Sequence, residues 1–463
     1  MPTLKQKLFG DRAFYKNILV LALPIMIQNG ITHLVNMLDN LMIGTGTKME
    51  VNGVSIANQL LFVFNLCIFG AVAGAGIFGA QFQGVGDHKG IAHATRFKLY
   101  FCLILAALGI GVFLTWDQTL IGLYLQGEGD PSVAAGSLVH AQDYLRIMLI
   151  GLVPFALSQC YAGTLRETGH TAPPMIAGVI AVCVNLVGNY FLINGPIEAL
   201  RMGVEGAAIA TVASRFVELA ILVIWTHANP AKNPFAPLLY RSFRIPLRLV
   251  WQILLRGFPL MINESAWGLG LAALNLQYTL RGLDVVTANN ISQTFWNVFS
   301  VSFMAVGIAV GIILGQQLGA GKRNEAKTNS VRLIVFSTLI GVGVTMIYCA
   351  CAPFIPYLYQ DTTPEIRQLA TQMMIVSALA MPIDAFAHAT YFTLRSGGQV
   401  FITFLFDSCY MWVISVPLAF VLVKFTALPI IPIYALCHAI NIVKCILGGH
   451  MVRKGFWIKT IVE

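Results

Sequence analysis

The chain has 463 residues, of which 57% are hydrophobic and only 11% are charged, and its formal net charge is +9. Soluble domains carry roughly 25% charged residues, so this composition cannot clothe a water-facing surface, and a soluble protein is excluded. A basic balance in such a chain points to membrane topology and anionic lipid rather than to nucleic acid.

A helix needs about 20 mostly apolar residues to cross a bilayer. Twelve such stretches are predicted, at 17–44, 54–79, 97–116, 140–164, 173–194, 204–226, 250–280, 286–316, 331–356, 368–393, 400–423 and 429–449. They are helices because lipid cannot satisfy an open strand edge, and a barrel would show alternating segments of about 10 residues. The first stretch carries Pro24, His33 and Asp39. The second contains Gly74-Ala75-Gly76-Ile77-Phe78-Gly79, which matches GxGxxG but follows no strand, so its glycines are assigned to helix packing. The sixth holds Arg215 and Glu218 at the spacing of an intrahelical ion pair. The seventh holds Pro259 and Glu264, and the tenth Pro382, Asp384 and His388. Asp407 in the eleventh is placed to reach Lys444 in the last. All nine cysteines lie in apolar stretches and read as small buried hydrophobes.

Lys and Arg set orientation. With an even number of spans, the segments on the side of both termini hold 21 of these residues and the opposite side holds 5. Both termini are therefore expected in the cytoplasm. The basic start runs straight into a long span, so no cleavable signal peptide is expected.

The chain repeats itself. At an offset of 235, Pro24, Met26 and Ile27 fall on Pro259, Met261 and Ile262, and Gln81, Gly84 and Gly86 fall on Gln316, Gly319 and Gly321. At an offset of 229, Thr164-Leu165-Arg166 and Gly169 fall on Thr393-Leu394-Arg395 and Gly398. The expected fold is an all-α membrane protein of twelve transmembrane helices in two pseudo-symmetric six-helix lobes. The lobes are 1–228 and 249–463, and 229–248, rich in proline and basic residues, is a cytoplasmic linker. Parallel repeats of this kind build a cavity between halves that opens alternately to each side. Pro24 and Pro259 are candidate gating kinks, since proline removes a helix hydrogen bond.

An acid at the bilayer centre costs roughly 2.5–3.5 kcal/mol by insertion scales and usually faces a cavity. Asp39, Glu218, Glu264, Asp384 and Asp407 are such acids. Asp39 has Leu274 as its repeat partner, so it belongs to one lobe only and is a candidate proton or sodium site. Glu264 and Asp384 are candidates for a second acidic pocket in the C-terminal half. His33 and His388 are candidate pH-responsive groups. Phe62, Tyr161, Trp267 and Trp296 are candidate cavity contacts. No metalloprotease HExxH, paired metal-ligand cluster or nucleophile elbow is present, so no enzyme and no cofactor is expected.

From Leu23-Pro24-Ile25-Met26 through Asp39-Asn40-Leu41-Met42-Ile43-Gly44 the first stretch resembles the first helix of the MATE (multidrug and toxic compound extrusion) family. Asn58-Gln59, Gly84-Val85-Gly86-Asp87 and Leu165-Arg166-Glu167-Thr168-Gly169 extend the resemblance. So do Pro259 with Asn263-Glu264, Gln316 with Gly319-Ala320-Gly321, and Leu394-Arg395-Ser396-Gly397-Gly398. The resemblance covers essentially the whole chain. It implies a monomeric antiporter of the bacterial inner membrane that expels small amphipathic organic cations in exchange for H⁺ or Na⁺. It places N-lobe cation coupling at Asp39 with Asn185, Asn189 and Thr211, and C-lobe coupling at Glu264 and Asp384. Sodium held by those residues is the one metal implied. Some members carry Asp where this chain has Asn189, which leaves Asp39 as the only acid of the N-lobe cluster. The alternative is a lipid or oligosaccharide flippase of the same superfamily, expected to line its cavity with several Arg or Lys. The bases taken as interior to spans rather than at their ends, Arg215 and Lys444, are fewer than the five acids.

Overall fold

The structure, a computed structural model, describes residues 8–43, 47–125, 130–193, 201–359 and 362–462, with the side chains of 35–43 excepted. Every predicted apolar stretch lies on helix. In chain order these are α1 (Arg12–Ile43), α2 (Lys48–Val85), α3 (His88–Leu125), α4 (Pro131–Ile150), α5 (Leu152–Glu167), α6 (Ala172–Leu192) and α7 (Val204–Ala228). A short α8 (Ala236–Leu239) precedes α9 (Leu247–Thr279), α10 (Leu283–Gly319), α11 (Arg323–Cys351) and α12 (Pro364–Ser396). The last two are α13 (Val400–Phe425) and α14 (Ile430–Lys454). Among the described residues, ten helices are long and apolar enough to cross a membrane. The pair α4 and α5, bent by 47°, makes an eleventh. The remaining predicted stretch is α9, 33 residues long, whose apolar run is broken by Arg248, Arg256 and Glu264.

The helix ends follow local chemistry. Thr47 and Glu50 form a reciprocal capping box at the start of α2: Thr47 N donates to Glu50 Oε2 at 2.7 Å and Glu50 N to Thr47 Oγ1 at 3.4 Å. Asp130 caps α4 by accepting from Ser132 N at 2.9 Å, ahead of Pro131. The repeat-related pairs Gly86/Gly321 and Gly169/Gly398 all take positive φ, at 80°, 73°, 89° and 72°. A left-handed residue after a helix strongly favours glycine, which is why these glycines recur in both halves.

The chain divides into two compact units. One contains the chain up to Met26, Ala80–Asp87 and everything from Ile262 onward. The other contains Ile27–Gly79 and His88–Met261. The division crosses α1 and α9 two residues after Pro24 and Pro259, respectively, with both prolines inside unbroken helix.

In the second unit, the glycines of α2 admit close neighbours. A Cβ on Gly74 would collide with Gly257 of α9, and Cβ atoms on Gly76 and Gly79 would strike the carboxylate of Glu167. That confirms the packing reading of GxGxxG. Glu167 accepts from Lys98 Nζ at 2.7 and 2.5 Å, and the lysine side chain is 0% exposed. Arg96 ties down the segment between α7 and α9. Its guanidinium donates to the carbonyls of Leu239 at 2.7 Å, Arg244 at 3.1 Å and Leu238.

In the first unit, α10, α11 and α12 pack around Tyr278, Phe303, Tyr348, Met373, Met374 and Tyr434. The ends of α2 and α10 meet reciprocally: a Cβ on Gly84 would hit the Gln316 carbonyl, and one on Gly319 would hit the Gln81 carbonyl. The last residues thread beside this contact. Ile461 N donates to Gln81 Oε1 at 2.8 Å, and Gln81 Nε2 donates to Lys459 O at 3.2 Å and Ser396 O at 3.0 Å. Thr460 Oγ1 donates to Leu318 O at 3.0 Å, and Trp457 is 0% exposed.

Candidate functional site

Each unit holds a polar cluster among its helices. In the second unit, α6 and α7 approach closely, with Gly188 against Ala210 and Gly206 against Leu192. This approach brings Asn185 Nδ2 to Thr211 Oγ1 at 3.1 Å, and Asn189 Nδ2 lies 3.3 Å from Asn185 Oδ1. Three of the four predicted N-lobe residues therefore form one buried string of amides and a hydroxyl. The side chain of Asp39 lies outside the described residues.

The charges of this unit differ from their sequence-based assignment. Arg166, in the last turn of α5, reaches another helix: its Nη2 donates to Gln28 Oε1 of α1 at 2.8 Å. Arg215 lies over the Phe155 ring at 4.7 Å and donates to the Gly151 carbonyl at 3.4 Å. Glu218 feels the charges of both Arg166 on α5 and Arg215 on α7, so the expected Arg215–Glu218 interaction is shared with a second helix. Tyr161 is not a cavity contact. It is 2% exposed and hydrogen-bonds Tyr240 Oη at 2.5 Å and His227 Nε2 at 3.2 Å.

In the first unit, α9, α12, α13 and α14 contribute a denser network. Glu264 Oε1 accepts from Tyr391 Oη at 2.9 Å and lies 3.5 Å from Arg395 Nη1. Asn263 donates to the same tyrosine hydroxyl at 3.1 Å, while Ser408 Oγ donates to Asn263 Oδ1 at 2.7 Å. Asp384 is held by the side chains of Trp296 and Asn441. Asp407 and Lys444 form the anticipated ion pair, at 2.5 Å with both side chains 14% exposed. Asp407 sits in a π-helical turn, Leu405–Cys409, within α13; such wide turns concentrate at functional positions. Lys444 follows a break in α14 at Ile440, whose carbonyl accepts from Val443 N at 3.0 Å and from Tyr410 Oη at 2.7 Å. His388 packs edge-on to Phe303 and tilted against Phe392.

The expected acidic pocket is thus a mixed one, because carboxylates this deep are stable only when hydrogen-bonded or paired. Tyr391, Arg395, Ser408 and Asn441 were missed by the sequence reading. One signal was available for Arg395. The repeat places it on Arg166, and Gln28 and Asn263 are related by the other offset, so the contacts Arg166–Gln28 and Arg395–Glu264 occupy nearly equivalent places.

Charges held inside apolar helices, in a chain whose two halves repeat, define the class: a multi-pass membrane transporter. The MatE family profile matches residues 24–191 and 260–421. "Probable multidrug resistance protein NorM" of Thermotoga maritima is 27% identical over 463 residues, covering 96% of this chain and 94% of that protein. A structure described as an "outward-facing conformation of a multidrug resistance MATE family transporter of the MOP superfamily" superposes with TM-score 0.84 at 19% identity, covering 98% of this chain and 99% of that one. A second, a MOP superfamily transporter from Pyrococcus furiosus for which "reverse polarity of binding pocket suggests different function", superposes with TM-score 0.86 at 20% identity over 99% of this chain and 100% of that one. This chain belongs to the MATE family of transporters.

Proposed function

We propose that the protein is a secondary antiporter of the bacterial inner membrane, with both termini cytoplasmic, that exports amphipathic, mostly cationic organic compounds in exchange for inward H⁺ or Na⁺. The observation that carries this reading is the set of carboxylates inside the helical units, above all Glu264, hydrogen-bonded by Tyr391 of α12, and Asp384, beside Trp296 of α10 and Asn441 of α14. An intramembrane acid retained at this cost is a place for a cation. The name of the Thermotoga maritima relative supports multidrug export. Lobes 1–228 and 249–463, joined by 229–248, rock about the bendable helices containing Pro24 and Pro259. Coupling requires ion and drug to differ in affinity between the two states. Asp39 with Asn185, Asn189 and Thr211 forms the N-lobe coupling cluster, and Glu264 with Asp384 the C-lobe one. The protein acts as a monomer and needs no cofactor beyond the coupling ion.

The test is ethidium transport in proteoliposomes under an imposed pH or Na⁺ gradient. Wild type is expected to respond to one gradient, and Asp39→Asn or Asp384→Asn to lose the gradient-driven component. Transport that persists in both variants refutes the assigned coupling residues.

A second reading, a flippase for lipids with anionic head groups, is favoured by the bases Arg166, Arg215, Arg395 and Lys444 held within the units. It predicts no ethidium transport under either gradient, and lipid translocation that falls when these bases are neutralised.

A further inference from the structure

Two bases of the first unit are held in the same way. The Arg395 guanidinium lies 3.5 Å from the Glu264 carboxylate and 5.1 Å from the centroid of the Phe392 ring. The Lys444 ammonium lies 2.5 Å from the Asp407 carboxylate and 5.0 Å from the centroid of the Phe406 ring. A carboxylate beside an aromatic face is the chemistry that recognises an organic cation, through Coulomb attraction and the ring quadrupole. Here each such place is filled by the chain's own cation.

The third acid differs. Among the described residues no base lies at ion-pair distance from Asp384, which has Trp296 and Asn441 as side-chain partners. Lys444 is one turn beyond Asn441 on α14 and interacts electrostatically with Asp384. The lysine is thus paired with Asp407 on α13 and also feels the charge of Asp384 on α12.

We propose that the Asp407–Phe406 cradle is a binding place for a monovalent organic cation, filled at rest by Lys444, and that the arriving cation displaces Lys444 toward Asp384. The exchange is energetically cheap because a buried ion pair gains little over its desolvation cost, so replacing one cation by another leaves the balance nearly unchanged. The packing permits it. Asp407 lies on a π-helical turn, Lys444 lies just past a helix break, and both side chains are 14% exposed; the Phe406 ring, 4% exposed, is uncovered as Lys444 withdraws. A lysine that occupies the site sets a threshold: only cations with enough apolar and aromatic contact to outcompete it are bound. This rests on the antiporter reading for its cationic substrates, and it adds the site and its built-in competitor.

The test is equilibrium binding of tetraphenylphosphonium, which carries no titratable proton, to the purified full-length protein. Removing the competitor in Lys444→Met is expected to tighten binding roughly two- to fivefold, the equivalent of one displaced surface-grade cation contact. Lys444→Arg keeps a competitor and should bind as wild type. Lys444→Met/Asp407→Asn, which removes both charges and leaves no unpaired acid at this position, should bind at least as weakly as wild type. Unchanged or weaker binding in Lys444→Met, in protein that remains monodisperse, overturns the proposal. Equal loss in Lys444→Met and Lys444→Arg assigns the lysine to packing and also overturns it. Tighter binding by Lys444→Met alongside absent gradient-driven transport in wild type would leave the site standing and remove the antiport reading. Coupled transport with unchanged binding would do the reverse.

Discussion

The most demanding residue pair in the second unit is Lys98 with Glu167. The lysine side chain is 0% exposed and the glutamate 10%, and Thr164 Oγ1 lies 3.2 Å from the ammonium. Removing one partner of a buried pair leaves an uncompensated charge, at a cost of roughly 3–5 kcal/mol. Lys98→Met should therefore lower the thermal midpoint in detergent sharply, while Lys98→Met/Glu167→Gln should recover much of the loss. Equal midpoints for the single and double variants would show that the pair does not act as a unit. Gly79→Ala should also destabilise, since its methyl group would be driven into the Glu167 carboxylate. None of this was legible at the residue scale. Lys98 and Glu167 lie 69 positions apart, with no periodicity linking them, and Lys98 reads as one of several basic residues near a helix end. By contrast, Asn185, Asn189 and Thr211 were legible through the family resemblance, and Asp407 with Lys444 through their positions in adjacent spans.

Helices were the most legible level. Apolar length alone located the stretches, eleven of which lie on helices, or on the one bent pair, long and apolar enough to cross a membrane, because the hydrocarbon core admits only segments with few charges. What length could not show was how helices are modified: the 47° bend between α4 and α5, the non-helical Trp116 inside α3, and the π-helical turns of α13. These depend on which neighbour supplies a hydrogen bond or a close contact. The C-terminal segment after Gly455 is a further case. Its sequence, Phe456-Trp457-Ile458-Lys459-Thr460-Ile461-Val462, looks like a short tail. It is instead anchored on the ends of α2 and α10 through Gln81 and Leu318, with Trp457 and Val462 buried. Trp457→Ala should cost about 3–5 kcal/mol, as for other buried aromatic truncations, and Gln81→Ala should lower stability by a smaller amount through loss of bonds to three backbone groups. Thermal unfolding followed by tryptophan fluorescence in detergent checks both, with Gln81→Glu as a control for shape. A tail that could be removed after Gly455 with no change in midpoint would show that its burial contributes nothing.

For the whole molecule, the repeat is the organising fact. Two offsets, 235 and 229, were enough to relate helices, glycine caps and prolines across the halves. The reciprocal approach of Gly84 to Gln316 and of Gly319 to Gln81 shows the same relation in three dimensions. The prolines give a prediction at this scale. Pro24→Ala and Pro259→Ala restore a backbone donor and stiffen the helix, so transport should slow while tetraphenylphosphonium affinity stays near wild type. Proteoliposome uptake rates set against equilibrium binding separate these effects. If rate and affinity fell together, the prolines would be part of the binding place rather than hinges.

Composition, apolar length and internal repetition thus determined by themselves that the chain is a membrane-spanning, all-helical, duplicated protein. These properties are carried by local sequence, since the bilayer acts on each helix as a solvent. The pairing of charges was decided only by the tertiary structure. Arg395 reaches Glu264, Lys444 reaches Asp407, and Arg166 reaches Gln28 across helices distant in sequence. In a medium that cannot hydrate ions, an acid is acceptable only beside the base or donor that folding brings to it, and that partner is set by helix packing.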